Sequence, residues 1–322
     1  MQIKNVTIIG TGTLGSRIGL QAAISGYRVI FYDISDSALE KTKPLIDKII
    51  AQLIKAETFD ASKKSETLSR ISYTTDLKIA LADCDFISES VTEELSIKEK
   101  VWKQIGELAP AKTIFTTNTS YLLPSQLAAI SGRPQKFCAF HFHDVFYARV
   151  VDIMPHPTTD PSMIPLLQEL GKSLNQVPVI VKKESPGYIF NFMLMAVLGA
   201  AGRLKTKDIA SIEDIDRSWM VNFHMPTGPF GIIDNIGLDT AWHVVKERDD
   251  TPSQAFAKLL KEYIDQGKLG EKTGEGFYKY PKPAYRDSGF FDGIVKVCMS
   301  NCTGFKSNSL SSEPKSRGEF LS

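Results

Sequence analysis

The sequence has almost no net charge. Its 322 residues include 38 Lys and Arg against 37 Asp and Glu, which gives a formal net charge of +1 at pH 7. Nucleic acids and anionic membranes attract proteins mainly through clustered Lys and Arg, and this chain has no long basic run. We therefore expect it to bind neither nucleic acid nor a membrane surface, and we expect its partners to be small molecules.

Cysteines and long apolar segments are also scarce. The four cysteines, Cys84, Cys138, Cys298 and Cys302, have neither a zinc-binding spacing nor the pattern of a disulfide framework, so we predict free thiols and no metal site. No apolar run approaches the ~20 residues of a membrane-spanning helix. The first residues, MQIKNVTIIGTG, do not have the pattern of a signal or transit peptide. We therefore expect a cytoplasmic protein.

Hydrophobic residues make up 43% of the chain, enough for a large core, and the length is typical of two domains. In the first part, short apolar runs alternate with helical stretches, which predicts an α/β fold with a doubly wound, mainly parallel sheet covered by helices. Pro44 is expected to kink or divide the helix that begins at Ser35 and Asp36. The predicted strands are 3–9, 27–33, 85–88, 113–116, 136–142, 150–154 and 177–181.

The pattern changes after the segment KKESPG at 182–187. Beyond it the apolar spacing is almost entirely helical, and the sequence becomes polar and Ser-rich after residue 282. The predicted helices are 188–204, 211–221, 229–246 and 252–266. We predict a first domain of residues 1–184, an all-helical C-terminal domain of residues 185–282, and a weakly structured tail of residues 283–322.

A glycine-rich turn joins the first predicted strand to a helix. Gly10, Gly12 and Gly15 form the pattern G-x-G-x-x-G, in which glycine permits a tight turn, close approach of the backbone to a pyrophosphate, and close packing of the helix on the strand. The loop is completed by Thr11, Thr13 and Leu14. A strand, this turn and a helix together predict a Rossmann-like dinucleotide-binding domain.

An acidic residue indicates which dinucleotide is bound. Asp33 lies at the end of the second predicted strand, eighteen residues past Gly15. A carboxylate at this position accepts hydrogen bonds from ribose hydroxyls and repels a 2′-phosphate, so we predict NAD(H) rather than NADP(H). Two alternatives stay open. In one, Asp33 caps a turn or a helix, and in the other, Arg28 or Lys41 binds the 2′-phosphate of NADP(H).

Two of the five histidines lie on one predicted strand. His141 and His143, in KFCAFHFH, share one face of that strand. An enzyme that moves a hydride to or from a carbonyl also needs a group that exchanges a proton near neutral pH, and histidine suits that role. Asp152, in the next predicted strand, has the chemistry to orient His141. The alternative is that both histidines are core residues, and that TTNTS at 116–120 is a helix-capping turn rather than part of a site.

Several motifs occur in the order found in one family. They begin with IIGTGTLGSRI and end with GEKTGEGFYKY, about residues 3–280, and between them lie FISESVTEELSIK, TNTS, ESPGYIFN and MPTGPFGIIDNIGLD. Over this length the chain resembles the L-3-hydroxyacyl-CoA dehydrogenases. The resemblance implies that His141 is catalytic, that Asp152 orients it, and that Ser120 and Asn191 hold the substrate. The cofactor contacts that it implies, beside the glycine-rich loop and Asp33, are Glu93, Lys98, Asn118, Ser120, Asp144 and Lys272.

The chain departs from this family around His141. The family usually has His-Phe-Phe-Asn-Pro, whereas this chain has HFHDV, so Asp144 replaces an asparagine near the nicotinamide and no proline follows. Asp152 stands where a glutamate is expected. Because Asp is one carbon shorter, we expect the pair with His141 to be loosened unless the backbone moves inward. The residues that bind the CoA nucleotide in the family have no clean counterpart, and Lys48 and Lys55 are general candidates.

These features predict an NAD(H)-dependent oxidoreductase that interconverts L-3-hydroxy and 3-keto compounds, with His141 as general acid–base. The substrate is expected to be a CoA thioester or a small acid or ester, since the altered loop is more similar to that of diketoreductases. His143 is expected to be structural or to line the substrate site. The alternatives are a dehydrogenase of small sugar acids or carnitine-like hydroxy acids, and a non-catalytic, NADH-binding protein of the crystallin type.

The resemblance also implies a homodimer formed through the helical domain. Apolar helix faces such as the segment YIFNFMLMAVLGAA at 188–201 are candidates for the interface. Packing of the same faces into the core of the protein is the alternative interpretation.

Overall fold

The computed structural model describes residues 2–291. The strands within this range are β1 (Asn5–Ile9), β2 (Arg28–Tyr32), β3 (Ile71–Thr74), β4 (Phe86–Glu89), β5 (Ile114–Thr117), β6 (Phe137–Phe142), β7 (Val150–Met154) and β8 (Val177–Ile180). They form one sheet in the order β3-β2-β1-β4-β5-β6-β7-β8.

Helices precede and follow these strands. The helices of the sheet-containing part are α1 (Thr13–Ile24), α2 (Asp36–Lys55), α3 (Lys64–Ser69), α4 (Leu77–Leu81), α5 (Leu95–Leu108), α6 (Pro124–Ala128) and α7 (Met163–Ser173). The later helices are α8 (Phe190–Thr206), α9 (Ile212–Phe223), α10 (Pro229–Ile236), α11 (Leu238–Val245) and α12 (Thr251–Ile264).

The direction of the strands confirms the predicted fold class, a doubly wound, mainly parallel sheet followed by a helical part. All neighbours from β3 across to β6 are parallel. Strand β7 is antiparallel to β6, and β8 is parallel to β7. The chain winds outward on both sides of β1, so the carboxyl ends of β1 and β4 flank the position where such sheets bind ligands.

Alternate residues of each strand pack on opposite faces of the sheet. On one face, Ile8 and Phe140 are buried with residues of α1, α2 and α7. On the other face, Ile9 and Phe115 are buried with residues of α4, α5 and α6. Because both faces are covered, the strands consist of continuous apolar runs, which is why the sequence pattern was readable.

The chain divides into two compact units after Phe192. The second unit has its own core, in which helices α8 to α12 contribute residues such as Leu198, Phe230 and Phe256. Tyr285 and Phe290 are buried in the same core, so these two side chains anchor a segment that the sequence analysis assigned to the tail. The rest of the predicted tail, residues 292–322, lies outside the described residues.

Three features of the fold differ from the sequence analysis. Strand β3 was not predicted, because it is a short edge strand in which none of the four residues is fully buried. Helix α2 runs uninterrupted through Pro44, so the expected division is wrong, whereas the expected kink stays a prediction. The predicted helix 229–246 is two helices, because Gly237, with φ +100°, separates α10 from α11.

Other observations concern thiols and membrane segments. Cys84 and Cys138 are free and buried, as predicted, whereas Cys298 and Cys302 lie outside the described residues. In the part of the chain that the structure describes, no helix has both the length and the apolar character needed to cross a bilayer.

A buried carboxylate in the second unit accepts three hydrogen bonds from residues 277–280. Asp234, on α10, accepts hydrogen bonds from the backbone N–H groups of Phe277 (2.8 Å) and Tyr278 (2.8 Å) and from the hydroxyl of Tyr280 (3.1 Å). Burial raises the pKa of Asp234 to about 6. Asp216 is a second buried acid, and it accepts a hydrogen bond from the Tyr278 hydroxyl at 3.0 Å.

We predict that Asp234→Ala lowers the free energy of unfolding by about 2 kcal/mol at pH 7, because it removes the acceptor of one buried and two partly buried donors. Urea unfolding measures this loss. Asp265→Ala is the matched control, because it removes a surface carboxylate that pairs with Lys261, and such pairs contribute about 0–1 kcal/mol. Equal effects of the two substitutions would contradict the prediction.

Candidate active site

The glycine-rich loop lies between β1 and α1, at the carboxyl edge of the sheet. Gly10 has φ +92°, and a Cβ atom there would lie 2.8 Å from the Ser90 carbonyl oxygen. A Cβ atom at Gly15 would lie 2.2 Å from the Gly10 carbonyl oxygen, whereas one at Gly12 would meet no protein atom within 4 Å. The fold itself requires the first and third glycines, and the second faces open space from which a pyrophosphate can approach the backbone.

The start of α1 is suited to an anion. Its N-cap is Gly12, which provides no side-chain hydrogen bond, and the first turn contains no acidic residue. Thr13 in this turn is exposed, while Leu14 packs against the sheet core. Free N–H groups at the positive end of a helix bind phosphate groups, so these residues fit the pyrophosphate of NAD.

Asp33 lies directly after β2 and beside this loop. Its Oδ2 accepts hydrogen bonds from the backbone N–H (3.0 Å) and the hydroxyl (3.1 Å) of Thr11, and its Oδ1 accepts from the N–H of Ser35 (3.1 Å). The side chain thus caps the turn, as one alternative predicted. Because the residue is also partly exposed, its position is compatible with the predicted ribose contact.

A buried ion pair lies behind the loop. Glu89, the last residue of β4, is fully buried, and its carboxylate lies 2.6 Å from Nζ of Lys98 on α5. It also accepts hydrogen bonds from the N–H of Val91 (2.8 Å), the hydroxyl of Thr117 (2.7 Å) and the indole N–H of Trp102 (3.3 Å). Such complete pairing is what a buried charge requires.

Glu93 connects this ion pair to the segment TNTS. Its Oε1 accepts hydrogen bonds from the hydroxyl of Thr119 and from the N–H groups of Ser120 (2.8 Å) and Tyr121 (3.1 Å), and its Oε2 lies 3.3 Å from Nζ of Lys98. Burial acts to raise the pKa of Glu93, but these hydrogen bonds and Lys98 outweigh burial and lower it. Glu93 therefore holds the turn that presents Ser120.

His141 lies between Ser120 and Asp152. In the antiparallel register of β6 and β7, His141 is directly opposite Asp152, and its Nδ1 lies 3.3 Å from Oδ2 of that carboxylate. Its Nε2 lies 3.3 Å from Oγ of Ser120. An ionised carboxylate only accepts hydrogen bonds, so Nδ1 carries the proton and the lone pair of Nε2 faces Ser120.

The surroundings of His141 keep it neutral. The residue is buried, and its ring stacks on Tyr188 with 4.4 Å between ring centroids. Burial lowers the pKa of His141, although the hydrogen bond with Asp152 acts in the opposite direction. Burial would raise the pKa of Asp152, but its hydrogen bonds with His141 and His143 outweigh burial and lower it. The pair is therefore a neutral imidazole beside a carboxylate.

Two predicted residues shape the loop and strand that surround His141. Asn118 accepts a hydrogen bond from the N–H of Phe142 at 2.6 Å, which joins the ends of β5 and β6. Asp144 forms an ion pair with Arg17 of α1 (3.0 Å) and accepts hydrogen bonds from the N–H groups of Phe146 (2.9 Å) and Tyr147 (2.8 Å). The carboxylate of Asp144 is thus engaged by its own loop and by α1.

The two remaining predicted residues are Asn191 and Lys272. Asn191 is in the first turn of α8, and within residues 2–291 its side chain takes part in no hydrogen bond. Lys272 belongs to the second unit, where its Nζ lies 2.6 Å from both carboxylate oxygens of Asp239. The assigned roles of Asn191 and Lys272 therefore stay predictions.

Sequence reasoning missed three contributors to the site. Glu89 is an acidic residue at the end of an apolar strand, and that pattern indicates a buried acid with a basic partner, here Lys98. Tyr188, whose hydroxyl donates to the Thr119 carbonyl oxygen at 2.7 Å, follows the positive-φ residue Gly187. The short contact of His143 with Asp152, 2.7 Å, was indicated only by its position on the same strand face as His141.

Comparison with known proteins identifies the family of this chain. Residues 5–185 match the family model of the 3-hydroxyacyl-CoA dehydrogenase NAD-binding domain, and residues 187–280 match that of the C-terminal domain. The chain is 34% identical over 292 residues to mitochondrial hydroxyacyl-coenzyme A dehydrogenase of Sus scrofa, covering 86% of this chain and 91% of that protein.

Solved structures are similar along the same length. A diketoreductase structure, described as a study of substrate-directed dual catalysis of dicarbonyl compounds, has a TM-score of 0.82 and 41% identity, and the match covers 87% of this chain and all of that one. The (S)-3-hydroxybutyryl-CoA dehydrogenase of Ralstonia eutropha has a TM-score of 0.79 and 32% identity, with coverage of 87% and 100%.

The fold and the loop define the class of protein as an NAD-dependent oxidoreductase. A Rossmann domain with a glycine-rich pyrophosphate loop is followed by a helical domain, and NAD is the cofactor. The chain belongs to the 3-hydroxyacyl-CoA dehydrogenase family.

We predict that Gly12→Ala weakens NADH binding by about tenfold or more, a cost of about 1.4 kcal/mol, because the added methyl group occupies the space facing the pyrophosphate. Its stability should be close to that of the wild type, since the methyl group meets no protein atom within 4 Å. Fluorescence titration with NADH and thermal unfolding measure the two effects.

Gly15→Ala is the comparison for this prediction. Its methyl group would lie 2.2 Å from the Gly10 carbonyl oxygen, so the variant should lose stability as well as affinity. A Gly12→Ala protein with unchanged NADH affinity would contradict the assignment of the loop.

Proposed function

We propose that the protein interconverts L-3-hydroxy and 3-keto compounds, with His141 as general acid–base. In this proposal Asp152 orients His141, and Ser120 and Asn191 hold the reacting oxygen of the substrate. The observation that supports it most is the position of His141, whose Nδ1 and Nε2 lie 3.3 Å from Asp152 and Ser120 respectively, at the carboxyl edge of a sheet that carries the NAD loop.

The neutral state of His141 gives it the proton-accepting role in oxidation. Its Nε2 takes the proton of the substrate hydroxyl, and Asp152 stabilises the resulting imidazolium through Nδ1. When bound, NAD supplies the hydride acceptor in this direction and the hydride donor in reduction. The hydroxyl of Ser120 donates to the substrate oxygen, a hydrogen bond that strengthens as negative charge develops there.

The supporting contacts keep this geometry fixed. Glu93 holds the backbone of Ser120, and Tyr188 covers one face of the His141 ring, which excludes water from that side. Burial of a general base and its orienting carboxylate strengthens the interaction between them, because the local dielectric constant is lower than that of water.

We expect His141→Gln to lower turnover by about 10² to 10⁴, the usual contribution of a positioned acid–base group, while the Kd of NADH stays within about threefold. Steady-state kinetics and NADH titration measure these quantities. His243→Gln is the control, because His243 is exposed on α11 and has no part in the proposal. Unchanged turnover in His141→Gln would rule out the assignment.

The class of substrate is the finer part of the proposal. Two relatives point in different directions: one is named for hydroxybutyryl-CoA and the other for dicarbonyl compounds. Lys48 and Lys55 are exposed on α2 and seven residues apart, so they share one helix face and are candidates for the phosphates of CoA. The altered loop HFHDV favours a small 3-keto acid or ester, and we propose that class.

The substrate proposal predicts a higher kcat/KM for reduction of a free 3,5-diketo ester than for reduction of acetoacetyl-CoA. An enzyme that uses the CoA portion loses efficiency when it is removed. Loss of NADH absorbance with each substrate measures the ratio, and repeating the assay with NADPH tests the role of Asp33. A clear advantage of acetoacetyl-CoA would contradict the proposal, and turnover of neither would support a non-catalytic, NADH-binding protein.

We also propose that the protein forms a homodimer through the apolar face that begins α8. Phe192 and Met193 are 65% and 54% exposed, and large apolar side chains clustered at a surface are typical of interfaces. The same face would be buried within one chain if it were only a core element, so its exposure supports the interface interpretation.

A further inference from the structure

Asp152 holds two imidazoles on one oxygen atom. Its Oδ2 lies 2.7 Å from Nε2 of His143 and 3.3 Å from Nδ1 of His141. Charge-assisted N–H···O hydrogen bonds are typically about 2.7–2.9 Å long, so the bond with His143 has the usual length and the bond with His141 is long. The closer partner of the orienting carboxylate is therefore not the proposed base.

We propose that His143 is a positioning residue of the active site, which fixes Asp152 through Nε2 and thereby sets the orientation and basicity of His141. This inference rests on the proposed role of His141 as general acid–base. The sequence analysis expected His143 to be structural or to line the substrate site, and neither expectation included a bond to Asp152.

Asp152 is a short acid for its role. An aspartate reaches one carbon less than a glutamate, and the bond between His141 and Asp152 is correspondingly long. Within the described residues, no other side chain besides these two histidines donates a hydrogen bond to Asp152. Without His143, the long bond would be the one side-chain hydrogen bond that orients this carboxylate among the described residues, so the short bond with His143 supplies a second constraint.

His143 itself is held by the residues around it. Its side chain is only 10% exposed. The ring contacts Phe190 edge-on, with 5.3 Å between centroids, and lies 4.8 Å from the ring of His141. A residue fixed by packing on two sides can fix a third group, whereas a mobile side chain cannot.

The bond between His143 and Asp152 also affects how strongly His141 holds its proton. A hydrogen bond from His143 stabilises the negative charge of Asp152, which leaves less of that charge to attract a proton to His141. A positive charge on His143 would repel the imidazolium directly. The other ionisable groups around the pair are Glu93, beside Ser120, and Tyr188, stacked on His141, and the variants described below leave both in place.

The same three side chains also have the composition of a metal site. His141, His143 and Asp152 each offer one ligand atom, and these atoms lie within 4.8 Å of one another. Two imidazoles and a carboxylate are ligands that zinc accepts. All assays of the proposal therefore contain EDTA, so that a change caused by adventitious metal is not attributed to His143.

Two substitutions separate a positioning role from a packing role. His143→Phe keeps an aromatic ring but has no donor, whereas His143→Gln keeps a side-chain N–H that can reach Asp152 but has no ionisable group. The measurements are kcat/KM for reduction as a function of pH, on whichever 3-keto substrate the wild type reduces best, and the Kd of NADH.

We expect His143→Phe to lower kcat/KM by about tenfold or more, as misplacement of a catalytic group by part of an ångström does, and to move the decline of kcat/KM at high pH to higher pH. The direction follows because His141 becomes a stronger base and keeps its proton longer. His143→Gln should keep kcat/KM within about threefold of the wild type. The pH at which its kcat/KM declines should lie between the values for the wild type and for His143→Phe.

Equal losses in the two variants with an unchanged pH profile would overturn the inference and leave His143 a packing residue. This result is distinguishable from failure of the proposed function. If His141 were not the acid–base group, His141→Gln would retain turnover, whereas failure of the inference about His143 leaves His141→Gln inactive.

Discussion

The antiparallel pairing of β6 with β7 is the contact on which the active-site edge depends. Strands β1 to β6 all run in one direction, and their carboxyl ends bring the glycine-rich loop and the segment TNTS to one edge. Strand β7 runs the other way, which sets Asp152 directly opposite His141. Side chains in such opposite positions have Cβ atoms about 4.5–5.5 Å apart, so a side chain as short as aspartate reaches the imidazole. The antiparallel register thus allows an aspartate to pair with His141, although the family has the longer glutamate at this position.

A chain of polar contacts, buried at Glu89 and Lys98 and more exposed at Glu93, joins the cofactor side of this edge to His141. Lys98 bridges Glu89 and Glu93, Glu93 holds the backbone of Ser120, and Ser120 contacts His141. Each charged member is satisfied by several partners, which is the condition under which buried charges are tolerated. Networks of this kind are rigid because moving one member leaves others unpaired at a cost of about 1–3 kcal/mol each. The geometry around the proposed base is therefore determined partly by Lys98, Glu89 and Glu93, which contact one another and the backbone of Ser120.

Sequence reasoning predicted those features that depend on local pattern. The glycine-rich loop, the alternation of apolar strands with helices, and the helical second part all follow from spacing within short windows, and the fold class is confirmed. Strand β3 and the break at Gly237 were missed because a short edge strand and a single glycine leave little trace in the apolar periodicity. The bonds of Glu89 with Trp102 and of His143 with Asp152 depend on which side chains the finished fold buries together. Composition and spacing do not determine such contacts, so only the structure reveals them.

The loop that follows His143 contacts α1, the helix after the NAD loop. It is also the loop whose sequence bears on the proposed class of substrate. An asparagine at position 144 would present an N–H donor as well as a carbonyl, whereas an ionised aspartate only accepts hydrogen bonds. Here the acceptors of Asp144 are engaged by Arg17 of α1 and by two N–H groups of the same loop. Arg17 is only 17% exposed in this pair and lies two residues after the last glycine of the NAD loop. A loop tied by charge to α1 is restrained in shape, and an ionised Asp144 offers no donor to a ligand. Under the proposed function, this loop therefore affects the choice of substrate through its shape and not through a hydrogen bond donated by Asp144.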